Sequence, residues 1–249
     1  MAPVVMKLAA AAEASGGRIV SRTLVTAQHR QMLDDVLKIF DIKADRDLDL
    51  MSENQSLHDL TAKIITCVSE FLAVEKPDLV LVHGDTTTAM ASSLAAFYQK
   101  IKVAHVEAGL RTSNIYAPFP EEINRRVCDV ISSVHFAPTE NARKNLIREG
   151  VSPSNITVTG NTVVDALYYI IKNKAVPVSS PRIRKALDAN MKIVLVTAHR
   201  RENFGEPFER MCDAFFRIVS ENEDAVIVYP VHLNPNVKNA VERKFNEFK

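Results

Sequence analysis

Leu79-Val-Leu-Val-His83-Gly84-Asp85 has a near copy further along the chain, Val103-Ala-His105-Val-Glu107-Ala-Gly109, with the two histidines 22 positions apart. Each segment is a short run rich in β-branched residues that ends in a histidine and carries an acid two residues later. The residues between them have helical periodicity, so the pair reads as strand, helix, strand. A crossover of that length lays two parallel strands side by side with their tips adjacent. Ligands of open α/β sheets bind beyond the carboxyl ends of the strands. Asp85 and Glu107 are therefore expected to converge on one crevice. Asp85 also precedes Thr86-Thr87-Thr88 and could cap the helix starting there, and the sequence leaves both roles open.

The same alternation extends in both directions. Strand candidates are 19–26, 79–83, 103–106, 134–137, 156–159, 193–197 and 225–229, and helices are expected near 3–15, 30–40, 56–75, 87–99, 121–131, 140–149, 162–173, 206–221 and 235–247. Short strands alternating with amphipathic helices indicate an α/β fold with a parallel sheet. Residues 41–54 are polar without clear period and read as a surface loop. Lys174–Pro181 (KAVPVSSP) reads as a linker, giving an N-terminal domain over 1–174 and a second over 182–249. The chain opens in a helix with no strand before it, and few strands follow the linker, so both ends look like cuts through a larger fold.

Composition narrows the functional classes. The 249 residues carry a net charge of +1, with 47% hydrophobic and 24% charged residues. Such a balance supplies neither the basic footprint of a nucleic-acid binder nor a membrane-surface patch, and no apolar run is long enough to span a bilayer. Cys67, Cys128 and Cys212 form no C-x-x-C pair and fit a reducing compartment. In the opening stretch MAPVVMKLAAAAEASGG, Lys7 and Glu13 break the apolar run, so it reads as a helix and not an export signal.

Three further stretches carry chemistry. Pro118-Phe-Pro-Glu-Glu-Ile-Asn-Arg-Arg126 places Glu121 and Glu122 in a first helical turn, where the helix dipole favours carboxylates. Just one of the pair is expected to face inward, and the sequence leaves open which. Ile193-Val-Leu-Val-Thr-Ala-His199-Arg200-Arg201 delivers a histidine and two arginines to a strand tip before a helix, a setting suited to a diphosphate. A solvated turn of Arg–Glu pairs is the plainer reading of that charge run. Val228-Tyr-Pro-Val-His232 repeats the strand-then-histidine theme. Among the absences, no two of the seven glycines are spaced by one residue, so no G-x-G-x-x-G exists, and there is no phosphate-binding G-x-x-x-x-G-K-[ST]. No histidine pair has metal-binding spacing, and no metal site is expected.

Taken together, VLVHGDTTTAMASSLAAFYQKIKVAHVEAGLRT (80–112), PFPEEINRR (118–126), TGNTVVDAL (159–167), VTAHRREN (196–203) and VYPVHLNPNV (228–237) resemble the non-hydrolysing UDP-N-acetylglucosamine 2-epimerases of bacteria, as do VTAQHRQML (25–33) and the opening MAPVV. The resemblance implies two Rossmann-like domains facing across a cleft, the glycosyltransferase-B arrangement, with the first domain lacking its first strand and the second incomplete. It implies interconversion of UDP-GlcNAc and UDP-ManNAc without a cofactor, in a cytoplasmic homodimer feeding cell-envelope polysaccharide synthesis. The C2 proton of the sugar is not next to a carbonyl, so the family eliminates UDP to a 2-acetamidoglucal and adds it back. That scheme needs carboxylates near C2 and cations for the diphosphate.

By motif, Asp85, Glu107 and Glu121 match the family's important acids, and His199, with Arg200 beside it, matches the histidine on the nucleotide diphosphate. Some Gram-positive relatives have a second, regulatory UDP-GlcNAc site, whose matching positions here are Gln28, Gln31, Glu121, Arg200 and His232. The family's G-T-R-P-E-A turn and S-G-G-x-Q-E-E segment are not in this sequence, so the chain alone is expected to turn over little or no substrate. Two other readings are a non-catalytic or sensor-like fragment and a glycosyltransferase sharing the fold.

Overall fold

The computed structural model describes residues 1–27, 30–50, 55–173, 178, 180–197, 205–231 and 241–244, without the side chains of 30–32. Contacts divide the chain into two compact units, Met1–Ala175 and Val176–Lys249.

The first unit runs α1 (Ala2–Ala14), β1 (Leu24–Val25), α2 (Arg30–Ile39), β2 (Arg46–Asp47), α3 (Leu57–Glu75), β3 (Leu79–His83), α4 (Thr87–Tyr98), β4 (Lys102–Val106), α5 (Glu121–Ile131), β5 (Val134–Ala137), α6 (Glu140–Arg148), β6 (Ile156–Val158) and α7 (Thr162–Asn173). Strands β3, β4, β5 and β6 form one parallel sheet in that order. Each successive strand adds at the same edge, so all four carboxyl ends point the same way. The core forms where the apolar stripe of α3, Leu60, Ile64, Val68 and Leu72, meets Ala89, Ala91, Ala95 and Ala96 of α4 and Val82 and Val103 of the sheet. The i, i+4 spacing gives α3 its single buried face, and alanines on α4 let it approach closely. A second cluster, Ala108, Ala137, Ala142, Leu146 and Ile156, packs α6 under the other end of the sheet. Each fully buried Leu, Ile or Val contributes roughly 1.5–3 kcal/mol.

The second unit contains α8 (Pro181–Asp188), β7 (Lys192–Leu195), α9 (Glu206–Glu221) and β8 (Ala225–Val228), with β7 and β8 paired in parallel. Phe208, Cys212 and Val241 form its core.

Three expectations are corrected. The eight-residue strand over 19–26 shrinks to Leu24–Val25. Its partner lies inside the stretch read as a featureless loop, since Leu24 and Val25 pair with Arg46 and Asp47. The β-branched run before it extends into solvent, with Ile19 and Val20 exposed, so propensity without a covered face made no strand. Helix α8 was not expected: Ser180 accepts a hydrogen bond from the Ile183 amide at 3.4 Å and Pro181 takes the first helical position. The proline of the linker thus starts a helix instead of breaking one. The helix expected over 235–247 and the tip at 198–204 lie mostly or wholly outside the described residues.

Candidate functional site

Beyond the carboxyl ends of the sheet in the first unit, the tips of β3, β4 and β6 meet the N-terminal half of α5. The β3 tip turns at Gly84, whose φ of +72° a glycine takes without strain. Thr86, not Asp85, caps α4, accepting from the Ala89 amide at 3.2 Å. Asp85 is thereby released from the capping role. Its backbone carbonyl accepts from Asn124 Nδ2 at 2.9 Å, and its carboxylate is ion-paired with Arg125 Nη2.

At the β4 tip the acid itself takes the left-handed turn, Glu107 having φ +67°. Such a backbone costs a non-glycine residue about 1–2 kcal/mol and persists where its surroundings fix it. Those surroundings are visible. Glu107 Oε1 lies 3.4 Å from the same Arg125 Nη2, and its Oε2 accepts from Asn161 Nδ2 at 3.0 Å and lies 3.7 Å from His83 Nε2. Asn161 is itself anchored at the start of α7 by accepting from the Val163 amide at 3.0 Å. Two carboxylates from different strand tips therefore share one arginine nitrogen, and the largely buried guanidinium offsets their mutual repulsion.

The α5 face that does this is unusually polar for a buried surface: Glu122, Asn124, Arg125, Cys128 and Asp129 are all buried. Of the two glutamates at the start of α5, Glu122 is the one wholly inside, whereas Glu121 is half-buried. Glu122 is fully buried and structural. It accepts from the Thr112 amide at 3.0 Å and from Arg126 at 3.0 Å. Burial by itself would raise its carboxyl, but these bonds and the Arg126 charge hold it below the usual carboxylate range. Glu121 buries one oxygen, Oε2, with no hydrogen-bond partner among the described residues. It sits four residues before Arg125, on the same helix face.

Two other buried polar atoms of this cluster lack partners in the same sense, His83 Nε2 and Arg125 Nε. Burial, aided by the N-terminal amino group, His105 and Arg125, pushes His83 down to about 4 despite the opposing Asp85 charge, so its ring is neutral at pH 7.

Beneath the two tips lies a charged layer. His105 is fully buried, with Nδ1 2.6 Å from Asp129 Oδ1 and Nε2 2.8 Å from the Gly84 carbonyl oxygen. Asp129 Oδ2 accepts from the Gly109 amide at 3.2 Å and from Arg111 Nη2 at 2.7 Å. Arg111 also pairs with Glu149 at 2.6 Å. Burial would raise Asp129, but the bond to His105, the charge of His105 and Arg111 hold it below the usual range.

Of the residues singled out by sequence, Asp85 and Glu107 lie within reach of one guanidinium, and Glu121 lies on the helix that supplies it. His199, Arg200, Gln28 and His232 lie outside the described residues, as does the side chain of Gln31. Arg125, Asn161 and Asp129 were not singled out. Arg125 and Asn161 stood inside quoted motifs, but an arginine near a helix start reads first as a solvated charge, and only the fold turns it inward. Cys128 is inert, its thiol pushed up to about 12 by burial.

The chain matches known proteins along its length. A family profile described as UDP-N-acetylglucosamine 2-epimerase matches residues 12–249. The UDP-N-acetylglucosamine 2-epimerase of Campylobacter jejuni is 54% identical over 228 residues, covering 89% of this chain and 60% of the relative. That of Escherichia coli K12 is 51% identical over 230 residues, covering 90% and 60%. The crystal structure of UDP-GlcNAc 2-epimerase from Neisseria meningitidis bound to UDP-GlcNAc superposes with a TM-score of 0.90 at 45% identity, covering 100% of this chain and 67% of that one. The chain spans about three fifths of the length of these curated relatives, and the likeness gives it their glycosyltransferase-B class of α/β fold. On this breadth of matching, the chain belongs to the UDP-N-acetylglucosamine 2-epimerase family.

Proposed function

We propose that this chain carries the sugar-handling carboxylates of a non-hydrolysing UDP-N-acetylglucosamine 2-epimerase, interconverting UDP-GlcNAc and UDP-ManNAc. One carboxylate takes the C2 proton, the C2–H electron pair becomes the C1=C2 bond, and the C1–O bond breaks as UDP leaves. Re-addition of UDP to C1, with a proton delivered to the other face of C2, completes the inversion. Asp85, Glu107 and Glu121 are the proposed proton-transfer groups. His199 and Arg200 are the proposed partners of the diphosphate, and Gln28, Gln31 and His232 would belong to a regulatory nucleotide-sugar site. Residues 1–174 would form the N-terminal Rossmann-like domain and 182–249 part of the UDP-binding one. The protein would act without a cofactor, as a cytoplasmic homodimer serving cell-envelope polysaccharide synthesis. No helix among the described residues is long and apolar enough to cross a membrane.

The observation that carries this reading is the meeting of Asp85 and Glu107 on the Arg125 guanidinium, with His83 Nε2 beside Glu107 and buried partnerless atoms on His83, on Arg125 itself and on Glu121 of the same helix. Buried polar atoms without partners are costly, and a sugar's hydroxyl and acetamido groups are suited to satisfy them. Chemistry at a carbon with two faces needs acids from more than one direction, which the separate strand tips and α5 supply.

The test is deuterium uptake at C2 of UDP-GlcNAc in D₂O without any acceptor, on the chain extended to the length of its relatives. Exchange accompanied by UDP-ManNAc supports elimination chemistry. Absence of exchange, as for a glycosyltransferase or a sensor, overturns it.

A further inference from the structure

We propose that His105 is a positioning residue held as a buried imidazolium, and that its ion pair with Asp129 sets the two acid-bearing strand tips against α5. The hydrogen-bond inventory carries this. The Gly84 carbonyl oxygen, 2.8 Å from Nε2, can only accept, so Nε2 carries a hydrogen. On the other side, a single proton must lie between Nδ1 and Asp129 Oδ1, 2.6 Å apart. Placing it on the carboxylate would give a neutral pair. Two observations place it on the ring. Asp129 Oδ2 already accepts from the Gly109 amide and from the Arg111 guanidinium, both of which favour the charged carboxylate. Arg111 is further tied to Glu149, so the layer alternates in sign from His105 to Asp129 to Arg111 to Glu149.

The geometry gives the pair its purpose. Through Nε2 the ring grips the carbonyl of Gly84, the residue before Asp85. Through Asp129 it grips the amide of Gly109, two residues after Glu107. Asp129 stands on α5, four residues after Arg125, which holds both acids. One buried ion pair thus joins both turns to the helix that supplies their shared cation. The groups on the ring are Asp129 from α5 and the Gly84 carbonyl, His83 from β3 interacts with it electrostatically, and Asp129 in turn carries the Arg111 charge. A neutral histidine could hold both anchors only by accepting from a protonated Asp129, the state that the Gly109 and Arg111 donors disfavour. Misplacement of a reacting group by about 1 Å can cost on the order of 100-fold in rate.

Part of this rests on the epimerase reading, so the experiment has two arms. The first needs no substrate. In the full chain labelled with ¹⁵N-histidine, with the His105 signals identified by their loss in His105→Gln, both ring nitrogens are expected at protonated shifts in the folded protein. In Asp129→Asn one of them should move to the unprotonated range. A neutral His105 in the unsubstituted chain overturns the proposal, whatever the activity. The second arm compares C2 exchange by Asp129→Asn and His105→Gln with the unsubstituted enzyme in the extended form. Both variants should lose about 10- to 100-fold in kcat with KM little changed. Undiminished kcat in either folded variant overturns the positioning role. If the unsubstituted enzyme shows no exchange at all, the epimerase reading fails while the nitrogen shifts still decide the charge of His105.

Discussion

The two strand tips that share a histidine followed two residues later by an acid are built differently. At the β3 tip a glycine makes the turn and the acid follows in relaxed backbone. At the β4 tip the acid makes the turn, and the glycine two residues later is wedged against α6. Their histidines diverge as well. His83 is neutral and has an unpartnered nitrogen facing the site, whereas His105 lies under both tips with both nitrogens engaged. One sequence pattern has yielded a tip with room to adjust and a tip that is locked. The lesson is that a histidine followed by an acid says where chemistry gathers, but burial decides which histidine faces it.

The comparison can be broken most forcefully at the acids. Asp85→Asn and Glu107→Gln should each slow C2 exchange about 100- to 10,000-fold, with the far-ultraviolet circular dichroism unchanged. If either kept near-normal turnover, its tip would not be reactive. Next come the glycines. A Cβ on Gly109 would lie 2.4 Å from the Ala142 carbonyl oxygen, at φ +81°, so Gly109→Ala should cost about 3 kcal/mol or more in urea unfolding. At Gly84 a Cβ would meet nothing closer than Glu107 Oε1 at 3.8 Å, so Gly84→Ala should cost only about 1 kcal/mol, from its positive φ. Equal losses would erase the contrast.

Acid sharpens it further. His83 titrates near 4 in the folded chain and near 6.5 unfolded. Between those values the unfolded chain binds the extra proton, so stability falls as pH drops through that window, by on the order of 2 kcal/mol. His83→Gln should remove that share. Asp129 is lowered from 3.8, so its contribution is present above that value and is lost only at still lower pH. The β3 tip should therefore weaken before the layer beneath it does.

Much of this was legible in the sequence. The strands from 79 to 158 and the helices between them follow from β-branched runs and 3.6-residue periodicity, and Asp85 and Glu107 from their place after strands. What was not legible depends on long-range contacts. The Leu24–Val25 pairing with Arg46–Asp47 involves short segments whose neighbours, not their composition, decide their state. The inward turn of Arg125 and Asp129 requires knowing which face of α5 the sheet covers. Asn161 reaches Glu107 across 54 positions of chain, a distance no local pattern reports. Glu122 looked interchangeable with Glu121, although neighbouring helical positions differ by about 100° in direction. That angle separates a carboxylate bonded to Thr112 and Arg126 from one with a bare buried oxygen.

The central claim is that the two tips act as one site through Arg125. Its most direct test is a double-mutant cycle on C2 deuterium exchange with Asp85→Asn, Glu107→Gln and the pair. Groups working as a unit lose most of their effect once either is gone. The double variant should therefore be little slower than the worse single one. Losses that multiply, as for two independent positions, would contradict the shared site.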